Sequence, residues 1–236
     1  MYLLFGGRKI RRHAERKRDL GLIQHEPLDQ DLGTIEPLLR SYGHPGAETG
    51  HCLALCRTGE ETYVEMMKML HSAQESIYLA TFVFRKDRRG LEVLEVLSEK
   101  ARARLRVCLL LDGVGCLHTR GRFLRPLTKS GGKHAHFMPV FRRLFRGRTN
   151  LRNHRKILVV DEKEALSGGT NIGREYMGPI PYEGRWRDLA FTLKGPGVRH
   201  YAQVFRYDGI LPAANGFRRS NQSGNATKAS GRRLCR

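Results

Sequence analysis

The sequence predicts an α/β domain built on a sheet that is at least partly parallel. Between residues 58 and 208, short apolar and β-branched runs alternate with segments of helical period, the pattern of strands joined by crossover helices. The 236 residues are 40% hydrophobic, enough to bury one core in a single domain. The charge distribution agrees: 43 Lys and Arg stand against 23 Asp and Glu, a net +20. Residues 1–18 carry +6 of it, residues 141–156 +7 and residues 209–236 +6. The remainder is nearly neutral, so a globular body carries basic patches, and a uniformly basic, histone-like chain is excluded. Such patches suit an anionic partner: a phosphate, a nucleic acid or an anionic lipid surface.

Residues 1–57 open with a short apolar stub, a Gly pair and a run of Arg and Lys. A Pro- and Gly-punctuated stretch without sustained period follows, predicting a basic, largely irregular arm. At Thr58 the pattern changes. Thr58 and Glu61 form a capping box, and Tyr63, Met66, Met67 and Leu70 recur at helical spacing, so a helix is expected to about residue 74. Residues 77–84 read as a strand. Leu91, Val93, Leu94 and Leu97 give a second amphipathic helix, which ends in the basic turn 100–106. A buried strand follows at 105–111, a third helix at 120–129 before Gly131-Gly132, and a strand near 134–138. Beyond a basic loop, Ile157 to Val160 is the most apolar strand of the second half, and residues 186–193 form another. Residues 209–236 hold six Lys or Arg and no acid, the composition of a disordered basic tail.

The five cysteines, at 52, 56, 108, 116 and 235, are too few and too irregular for a disulfide framework, so a reducing compartment is expected. No apolar run approaches the roughly 18 residues that span a bilayer. His51, Cys52 and Cys56 lack the second ligand pair that a metal site requires.

The chemistry-bearing string is Asn153-His154-Arg155-Lys156, four further residues to Asp161, then six to Gly168-Gly169-Thr170-Asn171. On an extended strand, positions 154 and 156 project to one face, bringing an imidazole and an ammonium into one pocket. The pair suits phosphoryl chemistry. An imidazole nitrogen can attack phosphorus and hold it covalently, and an ammonium neutralises non-bridging oxygens. Asp161 is expected to orient or charge-stabilise the imidazole. Gly169 is expected to let the backbone approach a phosphate, to which Asn171 would donate.

With this string the chain resembles the phospholipase D superfamily, whose signature is the same His-x-Lys-x4-Asp run followed by Gly-Gly/Ser-x-Asn. It is similar in particular to the amino-terminal half of bacterial cardiolipin synthases. The supporting segments are residues 2–12, Phe82-Val-Phe-Arg85, Leu110-Leu-Asp-Gly-Val-Gly115, Asn171-Ile-Gly173 with Glu175-Tyr176, and Trp186-Arg-Asp188. The resemblance implies a phospholipase D-like α/β/α sandwich over residues 58–208. It implies a phosphatidyltransferase that makes cardiolipin from two phosphatidylglycerol molecules through a phosphohistidine, without metal or organic cofactor. It assigns His154 as nucleophile or general acid, Lys156 and Asn171 to the phosphate, and Asp161 as a supporting carboxylate. The expected location is peripheral, on the cytoplasmic face of the bacterial inner membrane, with contact through the basic segments. The synthases carry the motif twice, whereas His-x-Lys occurs once here. A homodimer that completes the site is therefore expected. The alternatives are a single-motif homodimeric endonuclease of the same superfamily, or a non-catalytic truncated or frame-shifted fragment binding phosphate or nucleic acid. Arg174, Glu162 and Glu164 depart from the residues this family tends to carry, and Glu164 is expected to weaken strand packing.

Overall fold

The computed structural model describes residues 35–42, 46–119, 121–137 and 152–210. In chain order the elements are α1 (Ile35–Ser41), β1 (Cys52–Cys56), α2 (Gly59–Ser72), β2 (Ser76–Thr81), α3 (Arg88–Arg102) and β3 (Arg106–Asp112). A 3-10 turn (Gly121–Leu124) then runs into α4 (Arg125–Lys129), followed by β4 (Lys133–Phe137), β5 (Ile157–Val160), β6 (Glu164–Gly168), β7 (Ala190–Lys194) and α5 (Val198–Ile210). The seven strands form one mixed sheet in the order β1-β7-β6-β5-β2-β3-β4. β2, β3 and β4 are parallel, and the other pairings are antiparallel. One edge of the sheet therefore gathers the carboxyl ends of β2, β3, β4 and β6 with the amino ends of β5 and β7. In open α/β sheets this is the edge where ligands bind.

The central strands are apolar along their middles because helices cover both of their faces. Ile77, Leu79, Val107, Leu109, Leu111, Leu158 and Val160 point to one side, where Met66, Met69 and Leu70 of α2, Val93, Leu94 and Leu97 of α3, and Leu127 of α4 bury them. Tyr78, Ala80, Cys108, Leu110, Ile157 and Val159 point to the other, under Val198, Ala202 and Phe205 of α5. The Tyr78 and Phe205 rings stack there at 5.2 Å. The sandwich matches the α/β/α expectation.

The helix starts follow from capping. Thr58 accepts a hydrogen bond from the Glu61 N–H, and the Glu61 carboxylate reaches back to the Arg57 N–H at 2.6 Å, one residue before the usual partner of the box. Asp87 caps α3 through the Gly90 N–H at 2.9 Å. Glu164 is not a packing defect: it faces Lys194 across the β6–β7 ladder, and the two side chains pair at 3.1 Å.

Four features differ from the sequence reading. β1 lies upstream of residue 58 yet joins the sheet through β7. The third helix is shorter than expected and begins as a 3-10 turn. The strand expected at 186–193 begins only at Ala190, and α5 runs past residue 208. Residues 1–34, 43–45, 120, 138–151 and 211–236 fall outside the described residues, and with them most of the segments expected to form the basic arm, the basic loop and the basic tail.

Candidate active site

The ligand-binding edge brings together the side chains that follow β2, precede β5, follow β6 and precede β7. The short β5–β6 hairpin pairs Ile157 with Ser167, which sets residues 154–156 beside residues 168–171. His154 is exposed and Lys156 is buried. The Lys156 Nζ lies 3.0 Å from Nδ1 and 3.2 Å from Nε2 of His154 and donates to the His154 carbonyl at 2.9 Å. Phe82, just beyond β2, forms a wall: its ring centroid is 4.6 Å from that of His154, and the Lys156 ammonium sits 5.5 Å over it.

The strand entrance is pinned by two buried carboxylates. The Asn153 N–H donates to Asp112 at 3.1 Å, and its side-chain amide donates to Asp208 at 2.9 Å. Arg155 adds two bonds from NH1 to Asp208, at 3.1 and 2.8 Å. Residue 154 is thus held from both sides, while its own ring stays accessible.

Asn171 follows β6 at the same edge of the sheet. Its Oδ1 accepts from the Val83 N–H at 3.1 Å, the one hydrogen bond its side chain makes among the described residues, which leaves the amide N–H groups available to an oxyanion. Gly169 does not serve as expected. Its N–H already donates to the Leu189 carbonyl at 2.9 Å, so it has no donor left for a phosphate. Its role is spatial: a Cβ on Gly169 would lie 1.9 Å from Oδ1 of Asp188. The bare α-carbon lets that carboxylate settle beside the site.

Asp161 is not brought to the site. β5 carries it to the opposite edge of the sheet, roughly 15 Å along the strand from Lys156. There its carboxylate accepts from the N–H groups of Gln74, Glu75 and Ser76 at 2.9, 2.7 and 2.7 Å. Partial burial pushes its pKa up, but these donors outweigh that and hold it below the usual value. Asp161 and Glu162 both have positive φ, 52° and 55°, and the Lys163 N–H returns to the Val160 carbonyl, the signature of a type I′ hairpin turn. Asp161 therefore closes the β5–β6 hairpin and ties it to the start of β2. Asn tolerates the same left-handed backbone, so Asp161→Asn leaves the turn in place and removes the charge. The substitution is expected to cost about 1–2 kcal/mol at neutral pH. Asn also turns one of the two acceptor oxygens into an NH2 donor, so a backbone bond is lost with the charge. Because the folded pKa is depressed, the charge-dependent part of the deficit shrinks as pH falls through the carboxylate range. Urea unfolding of both chains at pH 7 and pH 3 checks this.

The carboxylate beside the motif is Asp188, which a reading based on the motif string alone does not single out. Burial pushes the Lys156 pKa down, and the Asp188 charge opposes that fall. A lysine with a lowered pKa loses its charge before a free one does as pH rises. Binding of inorganic phosphate is therefore expected to weaken on the alkaline side at a pH below the ordinary value of 10.5. The linked stability effect has the opposite sense. The charged, partly desolvated Lys156 destabilises the empty fold at neutral pH, and Lys156→Met is expected to raise the Tm while removing phosphate binding at His154. Titration calorimetry between pH 7 and pH 10, with thermal melts of both chains, reads out both effects.

Among the described residues, no helix is long and apolar enough to cross a membrane. The chain is 36% identical over 221 residues to the cardiolipin synthase of Geobacillus kaustophilus, covering 88% of this chain and 44% of that one. It is 29% identical over 207 residues to cardiolipin synthase 1 of Bacillus cereus, covering 88% and 41%. The chain thus spans about two fifths of the length of these curated relatives. In fold it is similar to the crystal structure of the phospholipase D family member Nuc from Salmonella typhimurium, with 13% identity and a TM-score of 0.51 over 71% of this chain and 97% of that one. NucT from Helicobacter pylori gives the same TM-score over 69% and 96%. The profile described as "Cardiolipin synthase, PLD-like domain" matches residues 66–208, from the middle of α2 to the Asp208 that anchors the motif strand, and the chain belongs to that family of phospholipase D-like domains.

Proposed function

We propose that this chain carries one half of a phosphatidyl-transfer site of the cardiolipin synthase type, with His154 as nucleophile. The observation that carries the reading is the accessible His154 imidazole with the Lys156 ammonium against it at 3.0 Å and the Asn171 amide nearby, all at the ligand-binding edge. In the first step an imidazole nitrogen attacks the phosphorus of phosphatidylglycerol. A P–N bond forms, the P–O bond to glycerol breaks, and the departing oxygen takes a proton from a general acid. In the second step the hydroxyl of another phosphatidylglycerol attacks, the new P–O bond forms, the P–N bond breaks, and the hydroxyl proton passes to the same group, now a base. Lys156 and Asn171 hold the charge that builds on the non-bridging oxygens.

The acid and base is the imidazole of a second His-x-Lys motif. These 236 residues hold one such motif, and in this reading a second copy supplies the other, its His154 meeting the first. Membrane contact at the cytoplasmic face of the bacterial inner membrane fits the basic segments, each Lys or Arg close to an anionic leaflet contributing about 1 kcal/mol. The loop before β7 adds exposed Ile180, Tyr182, Trp186 and Leu189, side chains suited to the bilayer interface. The test is cardiolipin formation from phosphatidylglycerol vesicles by the purified chain. The expected result is turnover that rises with more than the first power of protein concentration. No product at any concentration, or cleavage of plasmid DNA in place of lipid, would overturn the reading.

A further inference from the structure

Beside the His154 site, and outside its contact set, lies an open cleft of about 420 Å³, within the size range of small-ligand sites. Segments 84–87 after β2, 115–119 after β3 and 174–182 after β6 form its walls, so it occupies the same sheet edge. Its two acids are already engaged. Glu175 accepts from Nε and NH2 of Arg85 at 2.8 and 2.6 Å. Asp87 caps Gly90 at 2.9 Å and accepts from the Arg174 N–H at 2.6 Å. Three basic side chains remain, Lys86, His118 and Arg174, and among the described residues no carboxylate pairs with them. The Arg174 guanidinium lies 4.3 Å over the Tyr182 ring. A guanidinium stacked in this way is held in position while its in-plane N–H groups stay free, the arrangement that recognises phosphate oxygens.

Phe82 lies against both the nucleophile and the cleft wall. The ring of Phe82 packs on His154 at 4.6 Å, and its carbonyl is where a Cβ on Gly115 of the cleft wall would collide, at 2.1 Å. In cardiolipin the two phosphates are joined by one glycerol. An acceptor whose hydroxyl reaches a phosphorus at His154 must therefore hold its own phosphate one glycerol bridge away. We propose that the cleft is an anion subsite for a phosphodiester headgroup, the phosphate of the acceptor phosphatidylglycerol, with Arg174 as its main contact and Lys86 and His118 beside it. The subsite rests on the phosphatidyl-transfer reading for its identity, but its binding chemistry is measurable without turnover.

The test is calorimetric titration of the full chain with glycerophosphoglycerol, the deacylated headgroup, in a Lys156→Met background that removes the His154-side phosphate contact. Binding is expected to persist there, to weaken at least tenfold in Arg174→Glu, and to recover in part in Arg174→Lys. Because the Arg174 side chain is exposed, the Tm should not move, which separates loss of the site from loss of the fold. Unchanged binding in Arg174→Glu would overturn the proposal. Equal affinity for inorganic phosphate would reduce the site to one for the bare anion, and displacement by an oligodeoxynucleotide at lower concentration would replace lipid by nucleic acid; either result contradicts the acceptor assignment. Arg174-dependent binding of the diester by a chain that makes no cardiolipin would uphold the subsite and sink the catalytic reading.

Discussion

His154→Ala is expected to lower cardiolipin formation by on the order of 10⁴-fold or more, the scale on which enzymes lose turnover with their nucleophile, while leaving the fold intact. The imidazole is exposed, and its contacts are the Phe82 wall and the Lys156 ammonium rather than the core. The backbone around it is set by Asn153, through Asp112 and Asp208, and those bonds survive the substitution. A near-parental melt with no product is the expected pair of results. Asp161→Asn should give the reverse pair, a less stable chain that still turns over when folded, because its three backbone contacts lie at the far edge of the sheet. Equal losses of turnover in the two variants would place the aspartate in the chemistry after all.

The largest loss of stability is expected from Gly168→Ala. Gly168 leaves β6 with φ +145°, and a Cβ there would lie 2.2 Å from the Leu189 carbonyl oxygen and 2.6 Å from the Ala190 α-carbon. Both atoms are backbone, so neither can rotate away, and relief requires β6 and β7 to part. Backbone strain and overpacking together cost about 3 kcal/mol or more, a drop of roughly 6–12 °C in Tm for a domain of this size. The same displacement moves Asp188 off Gly169 and Asn171 off Val83, so phosphate binding should be lost as well. Gly121→Ala is the control. Its φ is +56°, but no atom of the described residues lies within 4 Å of the added carbon, leaving only the left-handed backbone penalty of about 1 kcal/mol. Comparable melts for the two variants would mean that the β6–β7 contact yields more easily than its geometry implies.

The layered fold was legible because β2, β3 and β5 are apolar on both faces, and α2 and α3 announce themselves by period and, at Thr58, by cap. β1 gave no such signal. It is an edge strand in which only Cys56 is buried, with Leu53 and Leu55 exposed, so no alternation marks it. That His154 and Lys156 lie at the same edge of the sheet as Asn171 could be read from the string because a four-residue strand and a tight turn return the chain to its starting edge. The same strand explains why Asp161 was misread: fixed spacing in a motif records a shared structure, and at about 3.3 Å per residue five residues suffice to leave the site. The places of Asp188 and Asp208 at the motif could not be read from the string, for the opposite reason. Each reaches the motif across a long loop or a helix, and in the case of Asp188 only because Gly169 has no side chain.

The most direct test of the central claim is to mix the chain with phosphatidylglycerol vesicles, quench into denaturant during turnover, and map any adduct by mass spectrometry. An acid-labile phosphatidyl group on the peptide that contains His154, absent in His154→Ala, is the predicted result. An adduct on another residue, or cardiolipin formation with His154 unmodified throughout, would contradict the account.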